Sequence, residues 1–539
     1  IIHLHRKISY TNPIYSHVWG IVVRTIYSDE EGSMNNANEA AGASMAASGT
    51  VATGSGALHD LEHHGKLGIF RLVASVITLI LGAGVFTLSG DQAAHGANGA
   101  AILTAWGISA VGVLCLVMTF FALSRLKPQL KGGIYSYAAA GFGDFLGFNS
   151  AWGYWISAIL CTVSFSALLC GALSYFFPVF GTGNNLASVI VASCIIWFYA
   201  FLVSRGVKEA AGVNLIITIS KFVPIFVALT AIIFFQKFDV NIFMENMAHG
   251  SVEGMSFFEQ VSGTMMVTIW VFLGIEGAVA ISGRAKKDSD VGKATVIAFV
   301  CVLTIYLLVS TLSMGVMPLS ELSELSNPAL AGVMERAVGP WGATLINGGV
   351  VLSLVGAMLG YTGLSAECPY EAAAQGGFVK AFARVNKKGA PIVTLVVTNL
   401  IIEMFLVIML FSESTYQFFY ALSAGMILLP YLLSAAYFAK VAFTEAGSFK
   451  GKLGVPVPVW RVFAVLGVIY SVFLAWASGA VGVTLMSILY APGILVYIKG
   501  KKERNQPFLE NTLDRVVAAV ILIAAIVSIG LLVTGTVSI

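Results

Sequence analysis

Charge is scarce in this chain: Asp, Glu, Lys and Arg make up 11% of its 539 residues, and 58% are hydrophobic. Soluble domains carry about 25% charged residues, so a chain clothed throughout in a water-facing surface is excluded. Cysteine is sparse too. The six, Cys115, Cys161, Cys170, Cys194, Cys301 and Cys368, form no CxxC pair and have no His at ligand spacing, which excludes a disulfide scaffold or a zinc site. They read as small buried apolar residues. The net charge of only +3, dispersed among short segments, gives no nucleic-acid footprint. A nucleophile–base motif, a phosphate-cradling loop and a metal cluster are all missing, so neither an enzyme nor a cofactor is expected.

What the chain has is apolar length. Mean hydropathy is +0.87, and thirteen runs approach the ~20 residues that a bilayer core requires. They cover about 67–90, 98–123, 145–177, 186–204, 210–235, 257–282, 294–316, 341–366, 391–411, 416–439, 457–478, 480–498 and 514–537. Alternation of period two is rare, so the spans are expected to be helices, which satisfy their own backbone polar groups in lipid. Arg125, Lys127 and Lys131, Arg284, Lys286 and Lys287, and Lys499, Lys501 and Lys502 all follow even-numbered spans, whereas Lys237 and Arg336 alone occupy the opposite loops. The positive-inside rule then puts the N-terminus in the cytoplasm of a multi-pass cell-membrane protein and the C-terminus outside. Residues 1–65 read as a disordered tail rich in Gly, Ala, Ser and Asn after Met34, with 1–33 expected to be a non-native extension.

Spans 1 and 6 each carry a glycine-interrupted core, Leu81-Gly82-Ala83-Gly84-Val85 and Leu273-Gly274-Ile275-Glu276-Gly277. Each opens a block of five spans, and an odd block sets its two copies in opposite orientation. Residues 66–236 and 257–440 therefore read as inverted repeats, with 456–539 supplying peripheral helices. Paired helix breaks at matching positions mark a midplane substrate site. A break there frees N–H groups and a positive dipole end for a carboxylate, and carbonyls for an ammonium, which is the backbone of an amino acid. The small residues Gly82, Ala83 and Gly84 could also serve helix packing alone; Gly274 marks the second break.

Glu276 lies inside the second break. A carboxylate within the bilayer is retained where it pairs, titrates or lines water; it reads as a gate, a proton site or a partner for a cationic substrate, or as a structural acid bonded to hydroxyls. Trp270 is either packing or a platform for a cation, worth ~1–2 kcal/mol when desolvated. Lys221, in mid-span, reads as a fixed internal cation.

These pieces together resemble the amino acid–polyamine–organocation superfamily, over most of the chain from about Leu67. The stretches Gly82-Ala83-Gly84-Val85-Phe86, Lys131-Gly132-Gly133-Ile134-Tyr135 and Trp270 to Glu276 carry the likeness. Within it, Ser282-Gly283-Arg284-Ala285-Lys286 and Ala366-Glu367-Cys368-Pro369-Tyr370 resemble basic amino acid/polyamine antiporters, nearest to arginine–ornithine antiporters. The resemblance implies an all-α, five-plus-five inverted-repeat (LeuT-like) fold with helices 1 and 6 discontinuous. It implies that Ala83 and Gly84 offer amides to the substrate carboxylate, and that Ile80, Trp270 and Leu273 surround its amino group. Tyr154, Glu276 and Tyr431 match a gate; Ser157, Thr162, Tyr361 and Ser423 match a side-chain pocket; Lys221 matches a lysine that replaces a bound sodium ion. Position 83 is Ala where arginine-specific relatives can have Ser, and position 361 is Tyr where cation-binding relatives often have Trp.

The expected function is electroneutral exchange of arginine for ornithine by alternating access. An amino acid/decarboxylated amine antiporter and a proton-coupled importer are the alternatives, and a channel or receptor is a rival of another class. The expected partners are small amino acid substrates and the lipid bilayer, without nucleic acid; a homodimer is compatible with this reading.

Overall fold

The computed structural model describes residues 68–130, 133–206, 211–276, 288–411, 416–449, 452–509 and 511–536. The expected tail over 1–65, Lys131-Gly132, Gly277 and the segment 278–287 with its basic residues lie outside them. Among the described residues every regular element is helical. Eleven of the described helices are long and apolar enough to cross a bilayer uninterrupted; with the interrupted spans 1 and 6, this matches thirteen spans.

Span 1 is the helix α1 (Ile69–Ile80), a single 3₁₀ turn (Ala83–Phe86) and α2 (Leu88–Ala94). Spans 2 to 5 are α3 (Gly99–Leu126), α5 (Asp144–Ser174), α6 (Leu186–Ser204) and α7 (Ala211–Phe234), with the short α4 (Ile134–Phe142) ahead of span 3. After α8 (Val240–Ala248), span 6 begins as α9 (Phe257–Val271). Spans 7 to 10 are α10 (Asp288–Val316), α13 (Pro340–Ala374), α14 (Ile392–Leu410) and α15 (Tyr416–Thr444), with α11 (Leu319–Glu324) and α12 (Ala329–Val338) before α13. The last three are α16 (Val457–Ala477), α17 (Gly479–Glu503) and α18 (Thr512–Val533).

Local chemistry sets the helix starts. Asn98 accepts from the Ala101 N–H at 2.8 Å and Asn185 from the Ser188 N–H at 3.0 Å. Ser256 and Glu259 cap α9 reciprocally, so each first turn has an acceptor for an otherwise orphaned amide.

The packing obeys the exchange of span n with span n+5. Span 1 packs on span 7, and span 6 on span 2; span 3 packs on span 10, and span 8 on span 5; spans 3 and 8 touch each other, as do spans 4 and 9. Such paired contacts are what two structurally equivalent five-span units produce when folded around one axis. The protein is thus an all-α polytopic membrane protein with the five-plus-five inverted-repeat fold. Helices α5 and α15 are the most enclosed, and α18 the least.

Two sequence expectations need correction. Span 1 does not end at residue 90: α2 continues to Ala94, carrying Asp91 into the protein's interior. Cys194 and Cys301 are exposed on the outer faces of α6 and α10, because in lipid an apolar side chain gains nothing by turning inward.

Candidate functional site at the helix breaks

Helix α1 stops at Ile80. Leu81 and Gly82 leave helical geometry, Gly82 with ψ near −168°, and the chain restarts as a 3₁₀ turn. The amides of Ala83 and Gly84 stand at the start of that turn, where no residue one turn back can accept from them. Both residues are buried. Gly84 is confined by the other broken helix: a Cβ there would lie 2.9 Å from both Trp270 Nε1 and Val271 Cγ1. Only glycine lets the two backbones come this close.

Helix α9 ends at Val271, and Phe272–Glu276 is a series of turns. Gly274 has φ +101°, a backbone conformation that L side chains rarely adopt. The Leu273 N–H donates to the Trp270 carbonyl at 3.1 Å, and the Gly274 N–H to Glu276 Oε2 at 3.2 Å. Tyr306 of α10 joins the breaks. Its hydroxyl lies 2.7 Å from the Val271 carbonyl and 3.2 Å from the Ile80 carbonyl, so one proton is shared between the two ends of broken helix.

A second link runs the other way across the site. The Trp270 indole N–H donates to the Tyr416 hydroxyl at 3.0 Å, which lies 3.0 Å from Thr87 Oγ1, and Thr87 donates to the Gly84 carbonyl at 3.1 Å. Because Trp270 can only donate and a carbonyl only accept, the Tyr416 proton points to Thr87. The relay ties spans 6, 10 and 1 into one wall. Aromatic rings complete it: Tyr420 stacks on Trp270 at 5.4 Å, and Phe165 meets Trp270 and Tyr361 edge-on at 6.0 and 5.1 Å. Such pairs add ~0.5–1.5 kcal/mol each beyond burial and hold the indole in one orientation.

On the other side of the second break, Tyr431 donates to Glu276 Oε2 at 2.7 Å and Tyr154 to Oε1 at 3.2 Å. Three elements, α5, α15 and the end of the α9 turn, thus meet at one carboxylate.

The remaining sequence candidates are placed differently. Ser157 and Ser423 clasp each other: each hydroxyl donates to the other's carbonyl at 2.8 Å, and both side chains are buried. Thr162 donates to Ala158 in its own helix at 3.0 Å. Lys221 is buried in α7. Sequence reasoning missed Tyr306, Tyr416, Thr87, Phe165 and Tyr420, which are unremarkable residues in apolar runs until folding brings them to the breaks. It also missed Asp91, for which an acid one turn beyond Thr87 was a usable signal.

The family of amino acid permeases matches residues 67–498. An arginine/ornithine antiporter of Pseudomonas aeruginosa is 41% identical over 477 residues, covering 87% of this chain and 98% of the relative. The arginine/ornithine antiporter of Latilactobacillus sakei is 38% identical over 475 residues, with 87% and 98% covered. An arginine/agmatine antiporter of Chlamydia pneumoniae is 37% identical over 445 residues, covering 82% and 91%. Two interrupted helices facing each other, a match over most of the chain and near-complete alignment to these relatives agree: the chain belongs to the amino acid permease family.

Proposed function

We propose that this protein is an electroneutral exchanger of arginine for ornithine, working by alternating access in the cell membrane with its N-terminus in the cytoplasm. The observation that carries the reading is the meeting of the two breaks, where Gly84 abuts Trp270 and Tyr306 joins Ile80 to Val271. The Ala83 and Gly84 amides receive the substrate carboxylate, and carbonyls at Ile80 and Leu273 receive its ammonium. Arginine and ornithine share that backbone and a terminal cation, so either fills one site, and equal charge makes the swap independent of an ion gradient. The names of the Pseudomonas and Latilactobacillus relatives support this pair.

In this reading, residues 66–236 and 257–440 are the two repeats that rock against each other. Glu276, Tyr154 and Tyr431 form the inner gate, whose hydroxyl–carboxylate bonds must break for release. Tyr361 and Thr162 line the side-chain pocket beside the Ser157–Ser423 clasp, and Lys221 holds the place of a sodium ion. No covalent chemistry is assigned to the site. Exchange for the decarboxylated amine is the second reading, favoured by the Chlamydia relative.

The test is counterflow. Proteoliposomes loaded with ornithine should accumulate labelled arginine, and empty ones should not. Equal uptake into both refutes obligate exchange, and preference for internal agmatine over ornithine selects the second reading.

A further inference from the structure

Asp91 is a fully buried acid on α2, and both of its carboxyl oxygens lack a hydrogen-bond partner. Its N–H donates to the Thr87 carbonyl, so it lies on the same helix face as Thr87, one turn of about 5.4 Å farther from the break. Thr87 itself holds the Gly84 carbonyl. Asp91 therefore stands one step outward of the amides and the indole described above.

Three side chains face its carboxyl group: Thr87, Gln417 of α15, and Asn327 from the loop between α11 and α12. None closes a well-formed hydrogen bond to either oxygen. Thr87 is unable to, because its one proton is committed to Gly84. Asn327 Oδ1 and the hydroxyl of the nearby Tyr420 are likewise buried without a partner. A carboxylate, an amide oxygen and a phenol from three separate elements thus lie close together, and among the described residues no lysine or arginine stands beside Asp91. An ionised carboxylate is strongly unfavourable there unless a cation or hydrogen-bond donors accompany it, and a cation with several N–H donors supplies both.

We propose that Asp91, with Asn327 and Tyr420, forms an outer cation site that takes the guanidinium or ammonium end of the substrate as it passes between the outside and the helix breaks. A guanidinium offers five donors in a fixed fork, enough for both carboxylate oxygens and the amide oxygen, while the Tyr420 ring supplies a cation–π face. The site rests on the reading of the protein as a cationic amino acid exchanger with its N-terminus inside.

The test compares the two faces of the membrane. Right-side-out and inverted vesicles from cells expressing the full chain are loaded with ornithine and given labelled arginine. Asp91→Asn should raise KM for arginine at the outer face by about tenfold or more, equivalent to ~1.4 kcal/mol, and leave the inner-face KM and the kcat within about twofold. An unchanged outer KM, or an equal rise at both faces, overturns the assignment and returns Asp91 to a structural role. If wild-type vesicles fail to exchange arginine for ornithine, the exchanger reading has failed instead. Where Asp91→Asn does not reach the membrane, the wild-type protein is treated with dicyclohexylcarbodiimide and the Asp91 peptide is weighed by mass spectrometry. Arginine should suppress that modification, and full modification in saturating arginine overturns the site.

Discussion

The hydroxyl of Tyr306 donates to the carbonyl of Val271 at 2.7 Å, at the point where α9 loses its helical bonding. Tyr306 is wholly buried among Trp106 and Phe272, and its oxygen also lies 3.2 Å from the Ile80 carbonyl. A helix broken inside lipid must have its freed carbonyls satisfied by protein groups or by water held in an enclosed cavity, since the lipid supplies no donor. Here a third helix supplies the donor, and in doing so fixes the spacing between the two breaks.

Removing that donor should destabilise the break and, through it, the folded protein. Tyr306→Phe keeps the ring and leaves the Val271 carbonyl buried without a partner, a loss of ~1–3 kcal/mol. Thermal unfolding of the detergent-solubilised protein should shift down accordingly, with a larger fall in arginine affinity than Trp106→Phe produces. An unchanged midpoint would mean that water replaces the phenol.

Gly84→Ala tests the closeness of the two backbones. The added Cβ meets Trp270 Nε1 and Val271 Cγ1 at 2.9 Å, and overpacking of this kind costs ~1–3 kcal/mol. The indole must move, breaking its bond to Tyr416. Arginine uptake should fall by at least about tenfold, equivalent to ~1.4 kcal/mol, while the variant still elutes as a single species in size-exclusion chromatography.

Glu276→Gln preserves shape and replaces one of the two carboxyl oxygens to which Tyr431 and Tyr154 donate. One of the two phenols then faces an amide NH₂ group in place of an acceptor, so the inner closure should loosen. Turnover should drop more than substrate affinity does. Single-turnover exchange measured beside equilibrium binding distinguishes the two, and equal losses in both would place Glu276 at the substrate instead.

Ser157→Ala is expected to act on stability. Ser157 and Ser423 spend their protons on each other's carbonyls, joining spans 3 and 10 at the centre of the bundle. Unfolding should shift by ~0.5–1.5 kcal/mol for a neutral hydrogen bond lost, and the ratio of arginine to lysine uptake should hold within about twofold. A changed ratio would make the pair part of the side-chain pocket.

The membrane class, the thirteen spans and the two breaks were legible because each is local. An apolar run of bilayer length has one low-energy conformation in lipid, and glycine at Gly274 permits a φ of +101° whatever lies nearby. Glu276 could be picked out for a related reason, since an acid in an apolar run is conspicuous by cost alone. Its partners could not: Tyr154 and Tyr431 lie 122 and 155 residues away, and tyrosines are ordinary in such runs. Asp91 was overlooked because hydropathy ends span 1 just before it, whereas packing of α2 against α10, α11 and α12 draws the polar turn inside.

Taken alone, then, the order of residues determined which segments enter the bilayer, where two of them lose helical form, and which charges lie deep. Only the tertiary structure decided what those features touch: Tyr306 at Val271, Tyr416 between Trp270 and Thr87, Ser157 on Ser423, and the unpartnered carboxyl group of Asp91. The reason is physical. Helix formation and helix breaking are settled within a few residues by backbone hydrogen bonding, while a hydrogen bond between spans depends on the rotation and depth of each helix, which all its neighbours set together.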